Sequence, residues 1–274
     1  MKNAQTVLIT GASSGMGKDM ANALIDLGYT VYAAARRIEN MTEIGDKGGI
    51  PVKMDITNES DIETVIKIIK DNHDGVDILI NNAGFGLYGA VEDTSIEEAR
   101  YQFEVNLFGL ASLTRKVLPY MRKNKSGKII NISSMGGKIY TPMGAWYHAT
   151  KFALEGWSDC LRLELKPFDI DVILIEPGII KTAFGTTLHD PLLKRSGNSE
   201  YSKMATAIAK ATKKSYNSEA GSSPRVITNQ IIKAINSKRP KTRYVAGAMA
   251  KPLIILRRIL SDKMFDKIIM SQVK

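Results

Sequence analysis

Tyr147 and Lys151, four residues apart, and Ser134, thirteen positions before the tyrosine, are the side chains of this sequence best suited to moving a proton. A free phenol titrates near pH ~10, too high for ready exchange at neutrality, and a neighbouring ammonium favours the phenolate by Coulomb attraction. Lys151 is therefore expected to make Tyr147 a usable acid or base. A hydroxyl from Ser134 would hold a carbonyl oxygen within reach of that phenol, and positioned proton transfer of this kind accelerates a reaction by ~10²–10⁴. A tyrosine and a lysine at this spacing also occur as an ordinary surface pair, so the elements around them must decide.

The run Ala145 to Leu165 supplies a helix. Phe152, Leu154, Trp157, Leu161 and Leu165 recur at helical spacing, and residues four apart, Tyr147 and Lys151 among them, share a face. Ser134 follows the apolar strand Lys128 to Ile132. At the amino terminus the apolar run Thr6 to Thr10 enters Gly11-Ala12-Ser13-Ser14-Gly15-Met16-Gly17 and then a helical pattern through Leu27. Strand, glycine turn and helix start together bind an anion, because backbone N–H groups and the positive end of the helix dipole converge on it. The spacing is G-x-x-x-G-x-G rather than the commoner G-x-G-x-x-G, and a plain tight turn is the alternative. Further strands are expected at Thr30 to Ala34, Ile50 to Met54, Asp77 to Ile80 and Val172 to Ile175, separated by helix-length segments. That alternation gives an α/β fold, a doubly wound and mostly parallel sheet. Gly11, Arg36, Asp55, Asn82, Ser134 and Gly178 then fall just beyond the carboxyl ends of strands, the edge at which open α/β sheets bind ligands.

Four motifs in this order resemble the short-chain dehydrogenase/reductase family: Thr10 to Gly17, Asn81-Asn82-Ala83-Gly84, Ser134 with Tyr147 and Lys151, and Pro177-Gly178 followed by Thr182. The resemblance runs from residue 5 to about residue 185. It implies a Rossmann-like single domain and hydride transfer between a nicotinamide and a carbonyl or alcohol. In that reading Ser134 orients the substrate, Tyr147 exchanges the proton, Lys151 tunes the tyrosine and holds the nicotinamide ribose, and Asn106 supports a water relay to Lys151. The cofactor would lie along Gly11, Ser13, Ser14, Gly15, Met16 and Gly17, with Asp55 and Ile56 flanking the adenine. Asn82, Ala83 and Gly84 would line the ribose, and Pro177, Gly178 and Thr182 would complete the site. At the end of the second strand an acid would suit the ribose hydroxyls of NAD, whereas arginine suits a 2′-phosphate. This chain has Arg36 and Arg37 there and no acid, which points to NADP(H), with Arg36 as the main contact and Ser14 assisting.

The rest of the chain bounds this reading. Nothing divides the 274 residues by composition, so one catalytic domain over 1–250 is expected, with a basic extension over 251–274. The first strand begins almost at once, with no apolar run of membrane-spanning length, which points to a cytoplasmic protein. The single Cys160 excludes an intrachain disulfide and reads as a packing residue; the scattered His73, His148 and His189 offer no metal site, and His148 reads as a wall or surface residue. Residues 184–221 are expected to form a helical lid. With Phe85, Tyr140, Met143 and Trp146, its Leu188, Leu192, Leu193, Met204 and Ile208 would either pack as ordinary core residues or enclose a hydrophobic carbonyl or alcohol, steroid-, retinoid- or lipid-like, as in the family branch the sequence resembles. From Ser237 to Lys274 there are ten Lys/Arg and two Asp, so this stretch carries +8 (10 − 2) of the chain's +10. Leu253, Leu256, Leu260, Met264 and Ile268 form an apolar stripe in it, fit either to pack on the domain or to contact a membrane surface peripherally. No reading element for nucleic acid accompanies the charge. By resemblance the chain is a homo-oligomer, joined through the helices Ile96 to Met121 and Ala145 to Leu165. A rival reading keeps the fold but makes it a non-catalytic dinucleotide-binding sensor or scaffold.

Overall fold

Apolar residues at alternate positions of each strand build the core. A strand sends successive side chains to opposite faces, so Val7 and Ile9 face one layer and Leu8 the other. The computed structural model describes residues 4–217, 221–271 and 273; parts of the expected domain, lid and tail at 1–3, 218–220, 272 and 274 lie outside the described residues. Within it β1 (Thr6–Thr10), α1 (Gly15–Asp26), β2 (Thr30–Ala35), α2 (Thr42–Asp46), β3 (Ile50–Lys53), α3 (Glu59–Asn72) and β4 (Ile78–Asn81) form the first half. The second half follows as α4 (Ile96–Phe103), α5 (Gly109–Asn124), β5 (Gly127–Ile132), α6 (Ala145–Leu165), β6 (Ile170–Pro177), α7 (Phe184–Ser196), α8 (Ser202–Asn217), α9 (Arg225–Asn236), β7 (Arg243–Ala246), α10 (Ala250–Ile259) and α11 (Asp262–Ser271). The strands pair in parallel in the order β3-β2-β1-β4-β5-β6-β7. One layer packs α1 and α9 on the sheet through Met20, Leu24, Ile227 and Ile231, and the other packs α3, α5 and α6 through Ile62, Val117 and Leu161.

The doubly wound order reverses between β1 and β4, and the crevice at such a switch is where α/β sheets take ligands. Gly11 and Asn82 end those two strands side by side. All six strands read from the sequence are present; β7 is a seventh, too short and too polar at Arg243 to stand out.

Four expectations on the helices change. The run from Ile96 is not one continuous helix: Glu104–Phe108 widens into a π turn around Asn106. Within α6, Phe152 is exposed and does not join the apolar stripe, because its position turns outward one residue after the buried Lys151. Cys160 on the same helix is exposed too, not a packing residue. The tail breaks at Leu260 into two helices, so its single stripe becomes two short faces, with Phe265 and Ile269 buried instead of Met264.

Candidate active site

The carboxyl edge of the sheet collects the expected residues into two adjoining cavities. The larger, about 480 Å³, is lined by Gly11, Ser13, Ser14, Gly15, Met16, Arg36, Arg37, Asp55, Ile56, Asn82, Ala83, Gly84 and Thr182. The smaller, about 120 Å³, is lined by Ser134, Tyr147, Pro177 and Gly178, with Met16, Thr182 and Phe184 common to both. Gly17, Asn106 and Lys151 line neither cavity and hold the walls from behind.

The glycine loop folds tightly on the end of β4. Gly11 adopts φ +65, a conformation glycine takes without strain. A methyl group on Gly17 would lie 2.3 Å from the Gly11 carbonyl oxygen, so only glycine allows the helix to start this close to the loop. The Asn82 side-chain amide donates to Thr10 O at 2.9 Å and Gly11 O at 3.2 Å, and Thr10 Oγ1 accepts from the Asn82 and Ala83 backbone N–H groups. These bonds fix the loop with the amino end of α1 facing the larger cavity, and the Ser14 hydroxyl does not cap that helix. Asp55 is held by Thr57, whose N–H and hydroxyl both donate to Oδ1. Arg36 leaves β2 and donates from Nη1 to the Tyr101 hydroxyl at 3.2 Å. A cleft lined by the glycine loop, with its backbone donors, and by the Arg36 and Arg37 side chains fits a dinucleotide.

Asn106 sits in the π turn, an insertion that redirects a side chain out of the helical register. Its Oδ1 accepts from Phe85 N at 3.1 Å, while Nδ2 donates to Phe85 O at 2.9 Å and to Thr150 Oγ1 at 3.1 Å. The buried amide thus clamps the segment after Gly84 to α6, one residue before Lys151.

Lys151 is buried and donates from Nζ to Ile132 O at 2.8 Å, tying α6 to the end of β5. Burial lowers its pKa to about 8, with Glu155 on the next turn pulling the other way. Tyr147 is buried as well. Its pKa is raised, mainly by that burial and next by the Tyr88 phenol, while a hydrogen bond with the Ser134 hydroxyl lowers it. In this structure the ammonium is directed to a carbonyl, and Ser134 is the side chain that eases ionisation of the phenol.

Of the two readings of His148, wall or surface, the structure gives the wall: it lines the smaller cavity. It is buried, and since Thr141 N–H donates to Nε2 at 3.1 Å, the proton lies on Nδ1 and points to Gly136 O at 2.9 Å. Burial lowers its pKa, which keeps the ring neutral in this role. It pins both ends of the loop from Gly136 to Thr141, a wall of the smaller cavity.

None of the four expected wall residues Phe85, Tyr140, Met143 and Trp146 lines the smaller cavity. Phe85 faces the larger one, Met143 is buried against the lid, and Tyr140 stacks on Phe265 of the tail at 5.4 Å. The lid residues Leu192 and Ile208 pack α7 and α8 on each other and on Met143, so they stabilise the lid and do not enclose a ligand. The walls are instead Tyr88, Met135, Ile139, Ile180, Phe184 and Tyr216. The Tyr147 ring lies 5.9 Å from Tyr88 and 5.7 Å from Phe184. These residues carry no motif in sequence, because what unites them is a surface assembled from four separate loops and helices.

The family model described as short chain dehydrogenase matches residues 5–192. The chain belongs to this family of oxidoreductases. A relative named 3-ketodihydrosphingosine reductase, from Bacteroides thetaiotaomicron, is 38% identical over 251 residues, covering 91% of this chain and 90% of its own. Among solved structures, a short-chain dehydrogenase from Streptomyces avermitilis superposes with TM-score 0.79 at 31% identity, covering 98% of this chain and 94% of that one. A short chain dehydrogenase from Burkholderia cenocepacia in complex with NADP gives TM-score 0.76 at 25% identity, each chain covered to 97%. Bound NADP in that member supports a nicotinamide dinucleotide as the cofactor class of this short chain dehydrogenase. Among the described residues no group of His, Cys, Asp and Glu could hold a metal ion. No described helix is long and apolar enough to cross a membrane.

Proposed function

We propose that this short chain dehydrogenase is an NADP(H)-dependent enzyme that interconverts a hydrophobic carbonyl and its alcohol. The observation that carries the reading is the meeting of the Ser134 hydroxyl and the Tyr147 phenol on the wall of a small cavity that opens onto the dinucleotide cleft. When bound, the cofactor supplies the hydride that goes to the carbonyl carbon, or accepts it in the reverse direction. Tyr147 gives its proton to the carbonyl oxygen, and Ser134 donates a hydrogen bond to that same oxygen and steadies the growing negative charge. Raised by burial, the phenol keeps its proton at neutral pH and so stands ready as the acid. Lys151 supplies a nearby positive charge and a contact for the cofactor ribose, and Asn106 keeps Lys151 and Gly84 in register.

The preference for NADP(H) is supported by Arg36 and Arg37 on the cleft wall, with no acid at the end of β2. The Met135, Ile139, Ile180 and Phe184 walls favour an apolar substrate, and the name of the Bacteroides thetaiotaomicron relative is that of a reductase acting on a keto compound. Assembly into a homo-oligomer is proposed through the outer faces around α5 and α6, where Phe108, Phe152 and Leu163 are exposed. The test is oxidation of NADPH and of NADH by the full chain against aliphatic and aromatic ketones, steroids, retinal and medium-chain aldehydes. Turnover with NADPH on the apolar members is expected. Tight NADPH binding with no turnover on any of them would favour the non-catalytic sensor.

A further inference from the structure

The tail uses only part of its apolar surface to hold itself on the domain. On α10 the inner face is Leu253 and Leu256, with Leu260 at its end, and on α11 it is Phe265 and Ile269; together they pack with Ile139 and Tyr140 of the substrate loop. Arg257 lies over the rings of Tyr140 and Phe265, at 5.3 and 5.6 Å, and pairs with Asp262 at 2.8 Å. Tyr140 donates its hydroxyl to Asp266 at 2.9 Å. Both aspartates of the tail are thus engaged within it or with the loop beneath it.

The opposite face of α10 repeats at the same helical interval and points outward: Lys251, Ile255, Arg258 and Ile259. Ile255 is 56% exposed and Ile259 70%, values that leave two large aliphatic side chains in water on a helix already anchored by its other side. On α11, Lys263 and Lys267 are exposed beside the half-uncovered Met264. A short helix that carries aliphatic side chains flanked by lysine and arginine, in a tail whose two aspartates are engaged by Arg257 and Tyr140, matches an interface that is apolar a few ångströms below a negative surface. A second copy of the same face would bring two strongly cationic tails together, which Coulomb repulsion opposes. A nucleic acid would satisfy the cations but leave Ile255 and Ile259 without an apolar partner.

We propose that the outward face of α10, with the cations of α11, docks this chain on an anionic lipid bilayer, Ile255 and Ile259 entering the interface and Lys251, Arg258, Lys263 and Lys267 meeting the headgroups. The inner face of the same two helices rests on Ile139, which lines the catalytic cavity. Docking there sets that wall of the cavity next to the lipid surface. The inference concerns a surface outside the catalytic machinery, so it stands or falls separately from the identity of the substrate.

The test is sedimentation of the full chain with vesicles of phosphatidylcholine alone and of phosphatidylcholine with phosphatidylglycerol, at low and high salt. Binding to the anionic vesicles that weakens with salt is expected, with each removed cation costing about fivefold in affinity. The double variant Ile255→Asp, Ile259→Asp should bind at least about tenfold more weakly, while its melting temperature and its rate on a water-soluble carbonyl stay at wild-type values. A second variant, Arg258→Glu with Lys263→Glu, should lose binding in the same way and keeps the test open if the first folds poorly. Absence of binding to anionic vesicles, equal binding to neutral ones, or undiminished binding by both variants would each overturn the proposal. So would a concentration-dependent rise in mass that the isoleucine variant abolishes, since a second copy would then cover the face.

Discussion

The two adjoining cavities differ in how they are written in the chain. The dinucleotide cleft is made largely by the ends of β1, β2, β3 and β4, and much of it comes from short runs readable in the chain: a glycine loop, two arginines after a strand, an asparagine bonded back to that loop. The substrate cavity is made by side chains from β5's loop, α6, the segment after β6 and α8, each chosen only for filling space beside Ser134 and Tyr147. The first kind of site is fixed by backbone sterics and hydrogen bonding, and the second by the packing of single side chains. Changes in the first should therefore alter cofactor recognition, and changes in the second should alter stability and substrate range.

The largest effect is expected on the packing side. Phe265 is fully buried between Ile139, Tyr140 and Leu256, so Phe265→Ala should cost ~3–5 kcal/mol of stability, read from denaturant unfolding. A loss under about 1 kcal/mol would mean that the tail does not form part of the folded unit.

On the cleft side, Arg36→Asp replaces attraction for a 2′-phosphate with repulsion. NADPH affinity should fall by ~1.5–3 kcal/mol with little change in melting temperature, and NADH should gain relative to NADPH. Titration of both dinucleotides into wild type and variant checks this, and a wild type that already prefers NADH would break the distinction at its base.

A smaller effect concerns pH. With its pKa lowered to about 8, Lys151 is charged below that value and neutral above it, so kcat/KM should fall as pH rises through about 8. Glu155→Gln removes the carboxylate that favours the charged form and should move the fall to lower pH. The unfolded lysine titrates near 10.5 and so binds more protons than the folded one between about 8 and 10.5; this group therefore makes stability rise with pH across that window. A pH profile identical in Glu155→Gln would show that Lys151's charge does not govern the rate.

The parallel sheet, the glycine loop, Asn82, Ser134, Tyr147 and Lys151 were legible because each rests on local pattern: a strand's apolar run, a helix's four-residue interval, a turn that only glycine can make. The π turn at Asn106 was not, since a single one-residue shift of the apolar stripe is hard to tell from its ordinary variation along a helix. The pinning of Gly136 and Thr141 by His148 was not legible because it depends on a loop folding back over the start of α6. Tyr140 was expected among the apolar walls of the cavity; the tail, more than a hundred residues later, draws it away. Tyr88 and Tyr216 reach Tyr147 only through tertiary folding, and nothing in their immediate sequence marks them.

The measurement that bears most directly on the proton-transfer centre is Tyr147→Phe, assayed for NADPH binding by titration and for turnover of an apolar ketone on the same preparation. The substitution removes one hydroxyl and leaves the cleft walls in place, so the dissociation constant for NADPH should change by less than about threefold while kcat falls by ~10²–10⁴. A variant that keeps more than about a tenth of the wild-type rate would contradict the assignment of Tyr147 as the acid.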